Sequence, residues 1–155
     1  MKPVDPMDRS VETPTMLDGW SPSDTTHFDA LIAACAIVAH ADGWVTEEER
    51  ISASARMRGL NATAAFGVER CLVAFDAFIN RFDQDADAAT ELAERAILKL
   101  SSQRAPARLV VEAACRVASS DGGFDGAERN AILDICQLLN VDPAPFGLIA
   151  PGGRR

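Results

Sequence analysis

The chain has 155 residues and a formal charge of −8, a length that suits one domain with a proper core and a charge that argues against a general nucleic-acid binder, since phosphate contact needs a basic face. It holds no run of about 18 uninterrupted apolar residues, so no membrane insertion is expected. The opening MKPVDPMDRSVETPTM has no apolar core, which excludes a secretory signal and leaves a cytoplasmic protein as the expectation.

Residues 1–20 carry Pro3, Pro6, Pro14 and Gly19 without a sustained apolar period and read as a flexible lead. Residues 21–150 read as one all-helical domain, and 151–155 as a flexible tail. Ser21 and Pro22 fit a helix cap and first position, and Phe28, Leu31, Ile32, Cys35 and Val38 follow at helical spacing until Gly43. Thr46 opens a second helix that runs to about Leu60. A third spans about 63–82, with Val68, Leu72, Phe75, Ile79 and Phe82 as its buried stripe. A fourth covers about 88–101, capped by Asp87, with Leu92, Ala96, Ile97 and Leu100 inward. A fifth begins at Pro106 and ends at Gly122, and a sixth begins at Asp125, with Ile132, Ile135, Cys136 and Leu139 facing inward. A short seventh occupies about 144–149. Tyrosine is absent and no stretch alternates apolar with polar, so strand content should be near zero.

The first and fifth helices are rich in alanine, LIAACAIVAHA and VVEAACRVASS. Small side chains let helix backbones approach closely, so these two should pack together at the centre of the bundle. Cys35, Cys71, Cys115 and Cys136 fall on apolar faces with no Cys-x-x-Cys spacing, and read as reduced thiols in the core.

One pattern is written twice. Ala39, Asp42, Gly43, Glu49, Arg50, Leu60 and Asn61 recur 79 residues later as Ala118, Asp121, Gly122, Glu128, Arg129, Leu139 and Asn140. Each copy reads as a buried Ala-rich helix, an Asp-Gly turn, a capped helix and a Leu-Asn stop. The architecture expected is all-α with about seven helices: two helix pairs related by a pseudo-twofold, bridged by a central helical pair.

Much of this pattern has a purely structural account. Gly43 and Gly122 suit a helix end, and Thr46 with Glu49, like Asp125 with Glu128, matches a capping box. Asp42 and Asp121 fit that account poorly, because each stands at the negative end of a helix dipole. Either Arg50 and Arg129 compensate them, or a cation does. Asp42, Glu49, Asp121 and Glu128, with Glu48 and Asp125 as possible additions, would offer the oxygen-rich environment that Ca²⁺ or Mg²⁺ prefers.

Other features are weaker. DQDADAATELAE at 83–94 has acids at calcium-loop positions, but Ala88 stands where the turn needs glycine, so it reads as a polar turn. His27 and His40 have no visible nucleophile partner, and no base–nucleophile pair appears, so the chain is expected not to be an enzyme. Trp44, inside the first Asp-Gly loop, is a candidate anchor for a protein partner, with packing over the adjacent helix as the alternative.

The doubled A-x-x-D-G-x-x-x-x-x-E between Ala-rich helices resembles the tellurite-resistance TerB family. Its matching positions are Ala39, Asp42, Gly43 and Glu49, then Ala118, Asp121, Gly122 and Glu128, and the resemblance covers about 25–150. It implies an all-α fold of seven helices with internal pseudosymmetry, and acidic loop–helix junctions linked to divalent-cation binding. The second copy departs from the first, since Gly126-Ala127 replaces Glu47-Glu48. The resulting expectation is a non-enzymatic stress-response protein that binds Ca²⁺ or Mg²⁺ at an acidic end face. It would act in a complex with other proteins, such as a membrane-associated stress complex. The rival is a metal-free helical adaptor in which the acids are caps.

Overall fold

The structure, a computed structural model, describes residues 25–41, 43, 45–118 and 126–148. The Ser21–Pro22 cap expected for the first helix lies outside them. In chain order the helices are α1 (Thr25–Ala39), α2 (Glu47–Arg58), α3 (Asn61–Phe66), α4 (Val68–Gln84), α5 (Ala86–Leu98), α6 (Arg104–Ala118) and α7 (Gly126–Leu139), followed by a 3₁₀ turn at Ala144–Phe146. No strand occurs among the described residues, and none of these helices is long and apolar enough to cross a membrane.

The bundle is built around α1. Ala30, Ala33, Ala34, Cys35 and Ala36 are fully buried, so α1 presents small side chains on nearly every side. It packs most extensively on α6, which buries Val110, Val111 and Ala114 completely, and then on α5 and α4. The expected central contact between the two Ala-rich helices is therefore present. The one polar side chain in the inner part of α1, His27, meets the Gln103 amide oxygen with its Nε2 at 3.0 Å, so its burial leaves the ring satisfied.

Four sequence expectations need correction. The helix expected over 63–82 is two helices, because Gly67 adopts φ 102° and breaks the run between α3 and α4. Only glycine takes that conformation without strain. The Gly67 N–H still closes α3 on the Thr63 carbonyl at 2.8 Å. The cap of α5 is Asp85, which accepts from the Ala88 N–H at 3.1 Å, whereas Asp87 lies in the first turn. The 83–94 segment is thus a helix end, a one-residue junction and a new helix. Third, α6 starts at Arg104, two residues before Pro106, since a first turn has no use for the missing proline N–H. Finally, Leu92 is 38% exposed and faces outward rather than into the core.

The two Leu-Asn pairs also differ. Asn140 adopts φ 59°, and the Val141 N–H reaches the Cys136 carbonyl at 2.9 Å, a left-handed stop that satisfies the end of α7. Asn61 instead opens α3, and α2 is closed by Gly59. The carbonyls of Met57 and Leu60 at that corner, which accept from the Leu60 and Ala64 N–H groups, also accept from the buried Thr63 hydroxyl. Because a side chain in the left-handed region costs about 1 kcal/mol or more, Asn140→Gly should hold or raise the melting temperature. Asn140→Ala should lower stability by about 1 kcal/mol. Paired thermal melts of the two variants check this, and equal values would remove the assigned role.

Candidate metal centre at the Asp-Gly junctions

The first junction begins where α1 tightens. His40 N–H reaches the Ala36 carbonyl at 3.0 Å, Ala41 N–H the Val38 carbonyl at 3.2 Å, and Gly43 N–H the His40 carbonyl at 3.0 Å. Gly43 adopts φ 119°, a conformation that any side chain would strain. Asp42 and Trp44, which flank it in sequence, lie outside the described residues.

Thr46 then caps α2 as its sequence suggests. The Glu49 N–H donates to Thr46 Oγ1 at 3.1 Å, and the Thr46 N–H donates to Glu49 Oε1 at 2.9 Å. This reciprocal pair satisfies two N–H groups that a helix start leaves unpaired. It engages one Glu49 oxygen and leaves the other available to a ligand. Glu47 and Glu48 are exposed beside it in the same first turn, at the positive end of the helix dipole.

The end of α4 completes this corner. The Arg50 guanidinium lies 3.5 Å from Asp76, 3.8 Å from Asp83 and 3.4 Å from the Asn80 amide oxygen. The His40 ring stacks on Phe82, with centroids 4.6 Å apart and planes inclined by 25°. Arg50 is thus engaged by α4, the stripe that sequence reasoning missed. Its signal was legible as Asp76, Asn80 and Asp83 at i, i+4 and i+7 on one helix face. What was not legible was that α4 folds back beside α2. These are partly exposed pairs at the long end of the distance range, each worth under about 1 kcal/mol.

The second junction follows α6. Arg56 of α2 donates from Nη1 to the Val117 carbonyl at 2.8 Å, one of the last carbonyls of that helix. Asp121 and Asp125 lie outside the described residues. Glu128, half-buried, is the third residue of α7, the same place that Glu49 holds in α2. Thr46 and Arg56 are ten residues apart, or about 15 Å of helix rise. The end of α6 therefore meets the far end of α2 from the first junction.

Carboxylates dominate the donors at both junctions, which suits a hard cation. Thiolates are not on offer. Burial pushes the Cys35 thiol up to about 12, with Cys71 adding to the shift, and pushes Cys71 itself up to about 11. Burial likewise pushes Cys115 up to about 12 and Cys136 to about 11. All four are free cysteines, so they remain neutral hydrophobes near neutral pH. Among the described residues, which omit three of the relevant aspartates, no three His, Cys, Asp or Glu side chains form a metal-holding group.

Two alanine-rich central helices that pack together, followed by helices with acidic first turns, of which α2 carries a complete capping box, define an all-helical domain. A family model described as tellurite resistance protein TerB matches residues 28–150, and the chain belongs to that family. No curated protein and no solved structure matches it.

Proposed function

We propose that this chain is a non-enzymatic, tellurite-resistance-type stress-response domain that binds a divalent cation, Ca²⁺ or Mg²⁺, at its acidic junctions. Asp42 with Glu49, and Asp121 with Glu128, would supply the ligands, with Glu48 and Asp125 as additional carboxylates. The domain would act in the cytoplasm in a complex with other proteins, one associated with a membrane, and Trp44 would serve as a partner anchor. The observation that carries this reading is the family match over 28–150, a span that includes both Asp-Gly junctions. The unused Glu49 oxygen beside Asp42 in sequence supports it. So does Arg50, whose engagement by Asp76 and Asp83 leaves it less charge to spend on Asp42.

Titration calorimetry with CaCl₂ and with MgCl₂ tests this. The expected result is heat of binding, with about 2.7 kcal/mol of added stability at a hundredfold excess over Kd. Both should be lost in Asp42→Asn/Asp121→Asn. No heat and no thermal shift in the unaltered chain would sink the cation reading. A stoichiometry of two would assign separate sites, and a stoichiometry of one a shared site.

The complete capping box at Thr46 and Glu49 favours a second reading, in which the acids are helix caps and the chain is a metal-free helical adaptor. On that reading Glu49→Ala lowers stability by about 1 kcal/mol whether or not EDTA is present.

A further inference from the structure

A groove of about 280 Å³ runs along the outer side of the bundle between α1, α4 and α5. Its floor is apolar, formed by Phe28 and Ile32 of α1, Phe78 of α4 and Leu92 of α5. Leu92 is the residue whose helical spacing pointed inward but which stands 38% exposed. The groove follows Ala74, Phe78 and Arg81 on one side, at i, i+4 and i+7, and Leu92, Ala96 and Lys99 on the other. Two turns of helix, about 10 Å, therefore line each wall.

The rim is basic. Arg81, Arg95 and Lys99 line the groove, against Asp29 as its single acidic residue among the described residues, in a chain whose net charge is −8. Arg95 also meets Glu91 at 3.1 Å, an exposed pair one turn apart on α5 that an incoming carboxylate could exchange at little cost. Lys99 is one of only two lysines in the chain. Three of the chain's 15 lysines and arginines thus flank an apolar floor.

We propose that this groove docks an amphipathic helical segment of a partner protein, one with apolar side chains at i, i+3 or i+4 and i+7, flanked by Asp or Glu. Charge complementarity carries the choice of occupant. The basic rim selects acidic flanks, and the apolar floor provides contact area. The proposal deepens the partner half of the reading above and is independent of its cation half.

The probe is a labelled synthetic 14-residue amphipathic peptide with a leucine face and glutamate flanks, compared with its glutamate-to-lysine counterpart. Both are titrated into the full chain by fluorescence anisotropy with EDTA present, so that loss of the cation reading leaves the result intact. The expected result is at least tenfold tighter binding of the acidic peptide. Its Kd should rise at least tenfold in Arg81→Glu/Lys99→Glu and again in Leu92→Glu. These residues are exposed, and an unchanged melting temperature verifies that the variants fold. Amide chemical-shift changes should map to α4 and α5. No binding at millimolar peptide, equal affinity for the two peptides, or indifference to the groove variants would overturn the proposal. Two other outcomes would overturn it by naming another occupant. One is a dimer, seen by sedimentation velocity, that Leu92→Glu dissociates. The other is peptide affinity that rises tenfold in the full chain carrying Leu17→Glu/Trp20→Glu, which would assign the groove to the chain's own leading segment.

Discussion

Stability measured against pH is expected to hold level up to about pH 9 and then fall steeply towards pH 12. The cause is the four buried or half-buried thiols. In the unfolded chain a thiol loses its proton near pH 9, whereas in the folded chain burial holds Cys35 and Cys115 up to about 12 and Cys71 and Cys136 up to about 11. A folded-state value above the unfolded one contributes stability that is complete below the lower value and lost on the way to the upper one. The window is therefore pH 9 to 12. Cys35 has no exposed surface, and moving from 9 to 12 at about 1.4 kcal/mol per pH unit corresponds to a loss on the order of 4 kcal/mol. The experiment is unusually clean in this chain. It has no tyrosine and two lysines, and arginine does not titrate in this range, so few other groups change charge. Urea unfolding at pH 8, 10 and 11.5 would read the effect, and Cys35→Ala should flatten the slope. A midpoint unchanged between pH 8 and 11.5 would contradict it.

Phe75→Ala is expected to cost about 3–5 kcal/mol, a large fraction of the 5–15 kcal/mol that typically holds a domain together. Among the described residues Phe75 is the largest side chain with no exposed surface, on the inner face of α4, the helix that packs against α1, α2, α3 and α5 at once. Truncation would remove a ring from a fully buried place on a helix held by four neighbours, so the space cannot close without breaking contacts elsewhere. The melting temperature should fall by roughly 10 °C. Val73→Ala, two residues earlier but 69% exposed, should stay within about 0.5 kcal/mol of the unaltered protein. Similar losses at the two positions would mean that α4 does not present Phe75 to the core.

Local features were the most legible from the residues alone. The Thr46–Glu49 box, the stops at Gly43 and Asn140 and the close approach of the two Ala-rich helices all follow from spacing and side-chain size. The family resemblance rested on the same residues and agrees with the match over 28–150. Gly67 was missed because Val68, Leu72 and Phe75 continue an apolar stripe from the residues before it, and periodicity does not register a single positive φ. Asp85 and Asp87 are equally good caps on paper, and the length of α4 decides between them. The engagement of Arg50 by Asp76 and Asp83 depends on how α2 and α4 are placed, which no local pattern encodes. Leu92 erred for the opposite reason. Its helical spacing was right, but a stripe specifies an apolar face without saying whether the protein itself covers it.

The α1–α6 contact has a consequence for how the chain reaches its fold. Its members, Thr25–Ala39 and Arg104–Ala118, are far apart in sequence, so the centre of the bundle closes only after the intervening chain has been looped back. Most helical bundles gain speed from contacts between neighbours in sequence. Here α1 to α5 can pair before α6, leaving one side of α1 uncovered. A ribosome that has released only the first hundred residues would hold α1 paired with α4 and α5, with the side that α6 covers still in water. Completion of synthesis through α6 is then the step that commits the chain, and α1 is the segment most in need of shelter until that point.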